Sequence, residues 1–143
     1  MPYKYLEGIT LADVAFEATG KTLAELIESA ALAVENTIVK DLKAIAPRTS
    51  KKIVLKEPDA EKLVFAFLEE LVYLKDAERL LFGKFDIGVK EGKEGYELAA
   101  VCKGEKISMK KHELIVDVKA VTMHHYEVKK TPKGWVARVV LDI

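Results

Sequence analysis

The sequence predicts an α+β fold, with two helices packed on a largely antiparallel β-sheet in a single domain spanning 1–143. Three observations lead there. Strand-like and helix-like patterns alternate through the first half. The hydrophobic period then shortens from that of a helix to that of a strand after "RLLFG". The remainder holds strand-like segments separated by Gly-containing or charged turns.

The elements follow in order. "DVAFEATG" places Val14, Phe16 and Ala18 on one face and Asp13, Glu17 and Thr19, with Ala15, on the other, the pattern of a half-buried strand ending at Gly20. "TLAE" is a capping box, with Thr22 as N-cap and Glu25 at N3. A helix follows, with Leu23, Leu26, Ile27, Ala30, Ala31, Val34 and Ile38 on one side, and stops near Ile38–Asp41, before the loop that holds Pro47. "KKIVLKE" reads as a strand. Pro58 and Asp59 open a second helix, whose apolar residues Leu63, Val64, Phe67, Leu68, Leu71, Val72 and Leu74 cover more than a narrow stripe and predict substantial burial. "KFDIGVKE", "GYELAAVCKG", "HELIVDVKAVTMHHYEVKK" and "GWVARVVLDI" then read as strands. The third is long enough to bend or to carry a bulge near His124 and His125.

Composition narrows the function. Lys plus Arg and Asp plus Glu each count 23, so the formal net charge is zero and nothing in the bulk composition marks a strong nucleic-acid binder. Cys102 is the only cysteine, which fits a reducing compartment. The opening "MPYKYLEGIT" lacks the apolar core of a signal peptide, and "LVFAFLEELVYL" is too short and too charged to cross a bilayer, so no membrane role and a cytoplasmic location are expected. Asn36 is the only Asn, Gln is absent and Lys outnumbers Arg by 20 to 3, a hyperthermophile's composition.

No covalent nucleophile stands out. Cys102 sits on a strand with Leu98 and Ala100 and reads as a buried, inert thiol. Ser is scarce, and neither a GxSxG motif nor a phosphate-binding Gly-rich loop is present. His124 and His125 are adjacent in a strand, so their side chains should point to opposite faces and could share a metal only at a bulge; His124 reads as a hydrogen-bonded structural residue. The carboxylates are more informative. Asp13 opens the first strand, where it could serve only as a turn residue. Asp142 shares a strand face with Arg138, and an exposed ion pair between them is the plainer reading. Yet Val139, Val140 and Leu141 leave the last strand no polar fraying zone, so the Asp142 carboxylate and the Ile143 α-carboxylate should lie together. Clustered carboxylates repel unless a cation sits among them, and hard oxygen donors favour Ca²⁺ or Mg²⁺ over zinc.

The segment "VKAVTMHHYEVKKTPKGWVARVVLDI" resembles the C-terminal signature of the archease family: Lys-Ala-Val-Thr, an aromatic and a His, a spacer, then Gly-Trp and a hydrophobic strand ending in Asp-Ile. "LADVAFEATGKTLAEL" resembles that family's N-terminal segment and "LVFAFLEELVYLKDAERLLF" its second helix, so the resemblance covers nearly the whole chain. Two departures are Thr10–Leu11, where the family carries His-Thr, and Met123 in place of the aromatic. The resemblance implies a non-catalytic activator of an RtcB-type RNA ligase in tRNA splicing, which promotes ligase guanylylation and multiple turnover. It also implies a divalent cation, calcium, held by Asp13, Asp142 and Ile143. The ligase is then the protein partner, with no strong direct binding of nucleic acid. The alternatives are a chaperone or specificity modulator of another RNA-processing enzyme, such as a tRNA methyltransferase, and, ranked lower, a metal-dependent hydrolase.

Overall fold

The computed structural model describes residues 2–6 and 13–143. Its elements are β1 (Tyr3–Leu6), β2 (Asp13–Gly20), α1 (Leu23–Ile38), a short 3₁₀ turn (Leu42–Ala44), β3 (Thr49–Glu57), α2 (Ala60–Glu78), β4 (Leu80–Gly92), β5 (Gly95–Lys106), β6 (Ala120–Thr131) and β7 (Gly134–Asp142). The α+β class holds, and every strand pair is antiparallel. The strands divide between two sheets, with spatial orders β1-β2-β7-β6 and β3-β5-β4.

The helices begin where side chains satisfy their first free N–H groups. Thr22 accepts from the Glu25 N–H, and the Glu25 carboxylate accepts in return from the Thr22 N–H, completing the expected capping box. Asp59 caps α2 by accepting from the Lys62 N–H, and α2 ends on Arg79 in the left-handed region. Both helices bridge the sheets. α1 packs on β2 and β7 of the larger sheet and on β4 of the smaller, while α2 packs on β6 of the larger and on β3 and β5 of the smaller. This explains why α1 is rich in alanine and buried nearly all round, and why the apolar surface of α2 is broad. A helix between two sheets has no single core face. Phe16, Leu26, Phe67, Phe82 and Leu141 are among the large side chains fully enclosed there. Gly95 and Gly134, at the β4–β5 and β6–β7 turns, have φ of 130° and 140°, a region that favours glycine.

Three sequence expectations change. β1 carries no strong pattern in the sequence, yet it pairs with β2 from Tyr3↔Ala18 to Leu6↔Ala15. The long strand expected from "HELIVDVKAVTMHHYEVKK" forms only from Ala120 onward. Its first part is held instead at the end of α1, where Ile115 N–H donates to the Ile38 carbonyl at 2.7 Å and Lys40 N–H to that of Glu113 at 2.9 Å. Only an isolated bridge, Val39↔Leu114, forms there; Val118 is buried and Leu114 packs on the core, while Ile115 stays exposed. The histidine pair also departs from the opposite-face expectation, as described below.

Candidate metal-binding tip

β7 is an interior strand of the larger sheet, flanked by β2 and β6. Its hydrophobic run fixes it there: Val139, Val140 and Leu141 are at most 1% exposed. The register runs to the tip. Asp13 is the direct cross-strand partner of Asp142, and Ala120 is the partner of Asp142 on the other side. Direct partners in an antiparallel pair project from the same face. The fold therefore sets the Asp13 and Asp142 carboxylates side by side, contributed by residues 129 positions apart in sequence. The Lys119 N–H donates to the Asp142 carbonyl at 2.8 Å, pairing the backbone at the tip. Ile143, the residue after Asp142, packs its side chain against the core.

Arg138 is committed elsewhere. It bonds Glu17, its register partner, at 3.2 Å, so the ion pair with Asp142 does not form. Lys4 approaches Glu17 from the other side at 3.8 Å. Among the described residues no ion pair neutralises Asp142, and no three His, Cys, Asp or Glu side chains converge to hold a metal by themselves. The tip offers two side-chain carboxylates, and a main-chain oxygen at Ile143 would be a further donor to a cation held there. That donor set is all hard oxygen, which suits calcium or magnesium and not zinc. Thr10 and Leu11, where the motif departs from the family's, lie outside the described residues.

The histidines divide into two cases. Between Thr122 and Glu127 the β6–β7 register breaks, so the four residues from Met123 to Tyr126 face a single residue of β7. His125 has φ 53°, and this turn brings the two imidazoles to the same side, with centroids 4.2 Å apart. The expected bulge is present, but the rings do not point to opposite faces, because the alternation of a regular strand is lost within it. Both residues are exposed, and the His124 backbone N–H donates to Thr122 Oγ1 at 3.3 Å, so among the described residues the hydrogen bond expected at His124 is made by its main chain and not by its ring. The bulge is fastened by Tyr126, whose hydroxyl donates to the Glu61 carbonyl on α2 at 2.6 Å.

His112, by contrast, is internal. Its Nδ1 accepts from the Ser108 N–H at 2.9 Å, which leaves Nε2–H to donate to Glu105 at 2.9 Å. Glu105 also accepts from the Ala46 N–H at 2.8 Å and pairs with Lys111 at 2.8 Å and Arg48 at 3.2 Å. Burial raises the Glu105 carboxyl, but the Lys111 ammonium, the Ala46 N–H and His112 outweigh it and hold the carboxyl down at about 2. This cluster locks residues 105–112 to the loop before β3. With the His112 side chain fully enclosed, it has no access to substrate.

Two further buried groups carry no pattern in the sequence. Glu35, on α1, accepts from the Phe82 N–H at 3.1 Å, beside the break in the β4–β5 register between Phe82 and Lys84. It supplies the partner that the ladder does not. Burial pushes its carboxyl up to about 8, with the Phe82 N–H and the Lys75 ammonium offsetting part of the rise. Lys75 on α2 reaches Asp76 and Asp117, which outweigh the cost of burial and raise its ammonium. Cys102 is fully buried and its thiol is pushed up to about 12, chiefly by burial, as expected of an inert cysteine.

With this geometry in view, comparison with known proteins is decisive. The model of the Archease protein family (MTH1598/TM1083) matches residues 3–143. The chain belongs to the archease family. Protein archease of Methanosarcina barkeri is 40% identical over 99% of this chain and 95% of its own length. That of Thermococcus gammatolerans is 37% identical over 92% of this chain and 93% of its own. In three dimensions, the solution structure of Methanobacterium thermoautotrophicum protein 1598 matches with a TM-score of 0.86 at 31% identity, covering 99% of both chains. The crystal structure of a Thermotoga maritima archease, described as a possible chaperone, matches with a TM-score of 0.62 at 19% identity over 96% of this chain and 97% of that one, and shows the shared fold. Among the described residues of this archease, no helix is long and apolar enough to cross a membrane.

Proposed function

We propose that this archease is a non-catalytic, cytoplasmic activator of an RtcB-type RNA ligase in tRNA splicing, working through a metal-bound carboxylate tip. The observation that carries the reading is the register of β2 on β7, which sets Asp13 opposite Asp142 next to the last residue, Ile143. In this reading the two aspartates and the Ile143 α-carboxylate hold Ca²⁺. The bound cation supplies a fixed positive charge inside a negative cluster, as nucleotide-handling sites use. The chain's own part is positioning: the interior strand β7 presents the tip rigidly, and the pairing of β2 and β6 on both sides prevents fraying. The described residues supply no positioned nucleophile and base at the tip, which favours an assisting role, in which the tip enters the ligase's nucleotide cleft and promotes guanylylation and turnover.

The test mixes the protein with an RtcB-type ligase and radiolabelled GTP and follows covalent guanylylation, with Asp142→Ala in parallel. Stimulation by the wild type alone is expected. Equal stimulation by both would reduce the tip to a structural feature. No stimulation by either would remove the ligase reading. A second reading draws on the description of the Thermotoga maritima protein as a possible chaperone. On it the protein is a chaperone or specificity modulator of another RNA-processing enzyme, such as a tRNA methyltransferase, and the nucleotide positions that enzyme modifies would shift when this protein is added.

A further inference from the structure

The chain is neutral overall, yet the two sheets present very different outer faces. On the larger sheet, charges of opposite sign alternate across the strands. Lys4, Glu17, Arg138 and Glu127 are consecutive register partners, and Lys4 and Arg138 both pair with Glu17. The smaller sheet is different. Its inner side chains, Ile53, Leu98, Ala100, Cys102 and Phe85, face the helices. The register then places Lys52, Lys56, Lys84, Lys90 and Lys103 together on the outer face, all exposed, against only Asp86 and Glu97. One of the five, Lys56, is paired, with Glu97 at 3.4 Å. Between the lysines runs a row of Val54, Ala99 and Gly88, all exposed, which keeps the surface low.

Two ordinary explanations fall short. Lysines on edge strands discourage sheets from pairing edge to edge, and β3 and β4 are both edges. Lys103 lies on β5, the central strand, where no edge needs protection. A surface rich in Lys and Glu can also form stabilising ion-pair networks. The larger sheet does so, whereas Lys52, Lys84, Lys90 and Lys103 form no ion pair among the described residues.

We infer that the outer face of the β3-β5-β4 sheet is a docking surface for the phosphodiester backbone of RNA, bound weakly and without sequence preference. An acidic protein is the poorer fit. Protein interfaces concentrate their affinity in Trp, Tyr and Arg anchors, and this face offers none. Backbone phosphates need only cationic points on a surface low enough to approach, which lysines around a Val-Ala-Gly row supply. The inference is independent of the proposed ligase role, because it reads RNA binding with no ligase present.

The experiment is fluorescence anisotropy of a labelled oligoribonucleotide titrated with the full chain at several salt concentrations. Dissociation constants on the order of 10–100 μM at low salt are expected, with a log–log salt slope of about −2, corresponding to about three phosphate contacts at ~0.7 each on a single strand. A Lys52→Glu/Lys84→Glu/Lys103→Glu variant should bind at least about tenfold more weakly. The neutral Lys→Gln triple at the same positions should fall between, and a Lys21→Glu/Lys62→Glu/Lys133→Glu control should stay close to the wild type after correction for net charge. Absence of salt-dependent binding, or an equal loss in the control, would overturn the inference. Tighter binding of poly-L-glutamate than of RNA with the same number of charges would also overturn it, reassigning the face to an acidic protein.

Discussion

At the scale of single residues, the informative groups are those whose environment departs from what their type prefers. Glu35 is 1% exposed, and its carboxyl is raised from an ordinary 4.5 to about 8. A carboxyl raised on folding holds its proton in the native state while the unfolded chain has released it. Stability is therefore greatest below pH 4.5 for this group and declines as pH rises towards 8, by roughly 5 kcal/mol at most. Glu35→Gln keeps an acceptor for the Phe82 N–H and should flatten that decline. Urea midpoints measured at pH 5 and pH 8.5 should differ clearly more in the wild type than in the variant, and an equal difference would show that the slope comes from elsewhere. Asp13 and Asp142 make a second residue-scale case. Either one changed to alanine should leave the circular dichroism spectrum intact and abolish calcium binding by isothermal titration calorimetry. Unchanged affinity in both variants would sink the assignment of the tip. Asp13 and Asp142 were legible in the sequence as candidates through the family motif. Glu35 and Glu105 were not, because a charged residue at a helical or strand position reads as solvent-facing until the packing around it is known.

At the scale of elements, local chemistry and tertiary pairing divide the work. The capping box at Thr22 and Glu25 and the Asp59 cap are short-range motifs, and the helices begin where the sequence placed them. Thr22→Ala should cost about 1 kcal/mol and lower the melting temperature by about 4 °C, read by thermal unfolding at 222 nm. A shift below one degree would mean that packing of α1 between the sheets fixes its start without the cap. β7 shows the opposite balance. Its hydrophobic run marks it as buried, but only pairing with β2 on one side and β6 on the other makes its end rigid. Adding two glycines after Ile143 converts the terminal carboxylate into an amide carbonyl without touching the ladder. It should weaken calcium binding at least about tenfold with little change in unfolding midpoint, since a charged oxygen donor is lost. The histidine pair is a third element-scale lesson. A period-of-two argument sends adjacent residues to opposite faces, and the four-residue bulge cancels it.

At the scale of the whole molecule, the architecture explains features that no local reading connects. The helices sit between the sheets, which leaves one face of each sheet to solvent. One outer face carries a row of alternated, paired charges with the Asp13 and Asp142 carboxylates at its end, and the other has a concentration of lysine. Net charge, computed over the chain, averages the two away. Lys51 and Lys52 show how: the first lies on the inner side of β3, where it pairs with Glu78 at 2.8 Å, and the second faces out. Interleaved Lys and Glu in sequence thus become separated surfaces in space.

The sequence alone determined the class of fold, the position and caps of both helices, the buried thiol and the carboxylates at the end of β7, because these rest on short-range periodicity, capping chemistry and a motif at one location. Only the tertiary structure decided that the strands form two sheets, that Asp13 lies opposite Asp142, that the histidines turn to one side, and that the lysines gather on one face. Each of these depends on register between strands distant in the chain, or on the loss of register at a bulge, and pairing across such distances is set by the packing of the whole core.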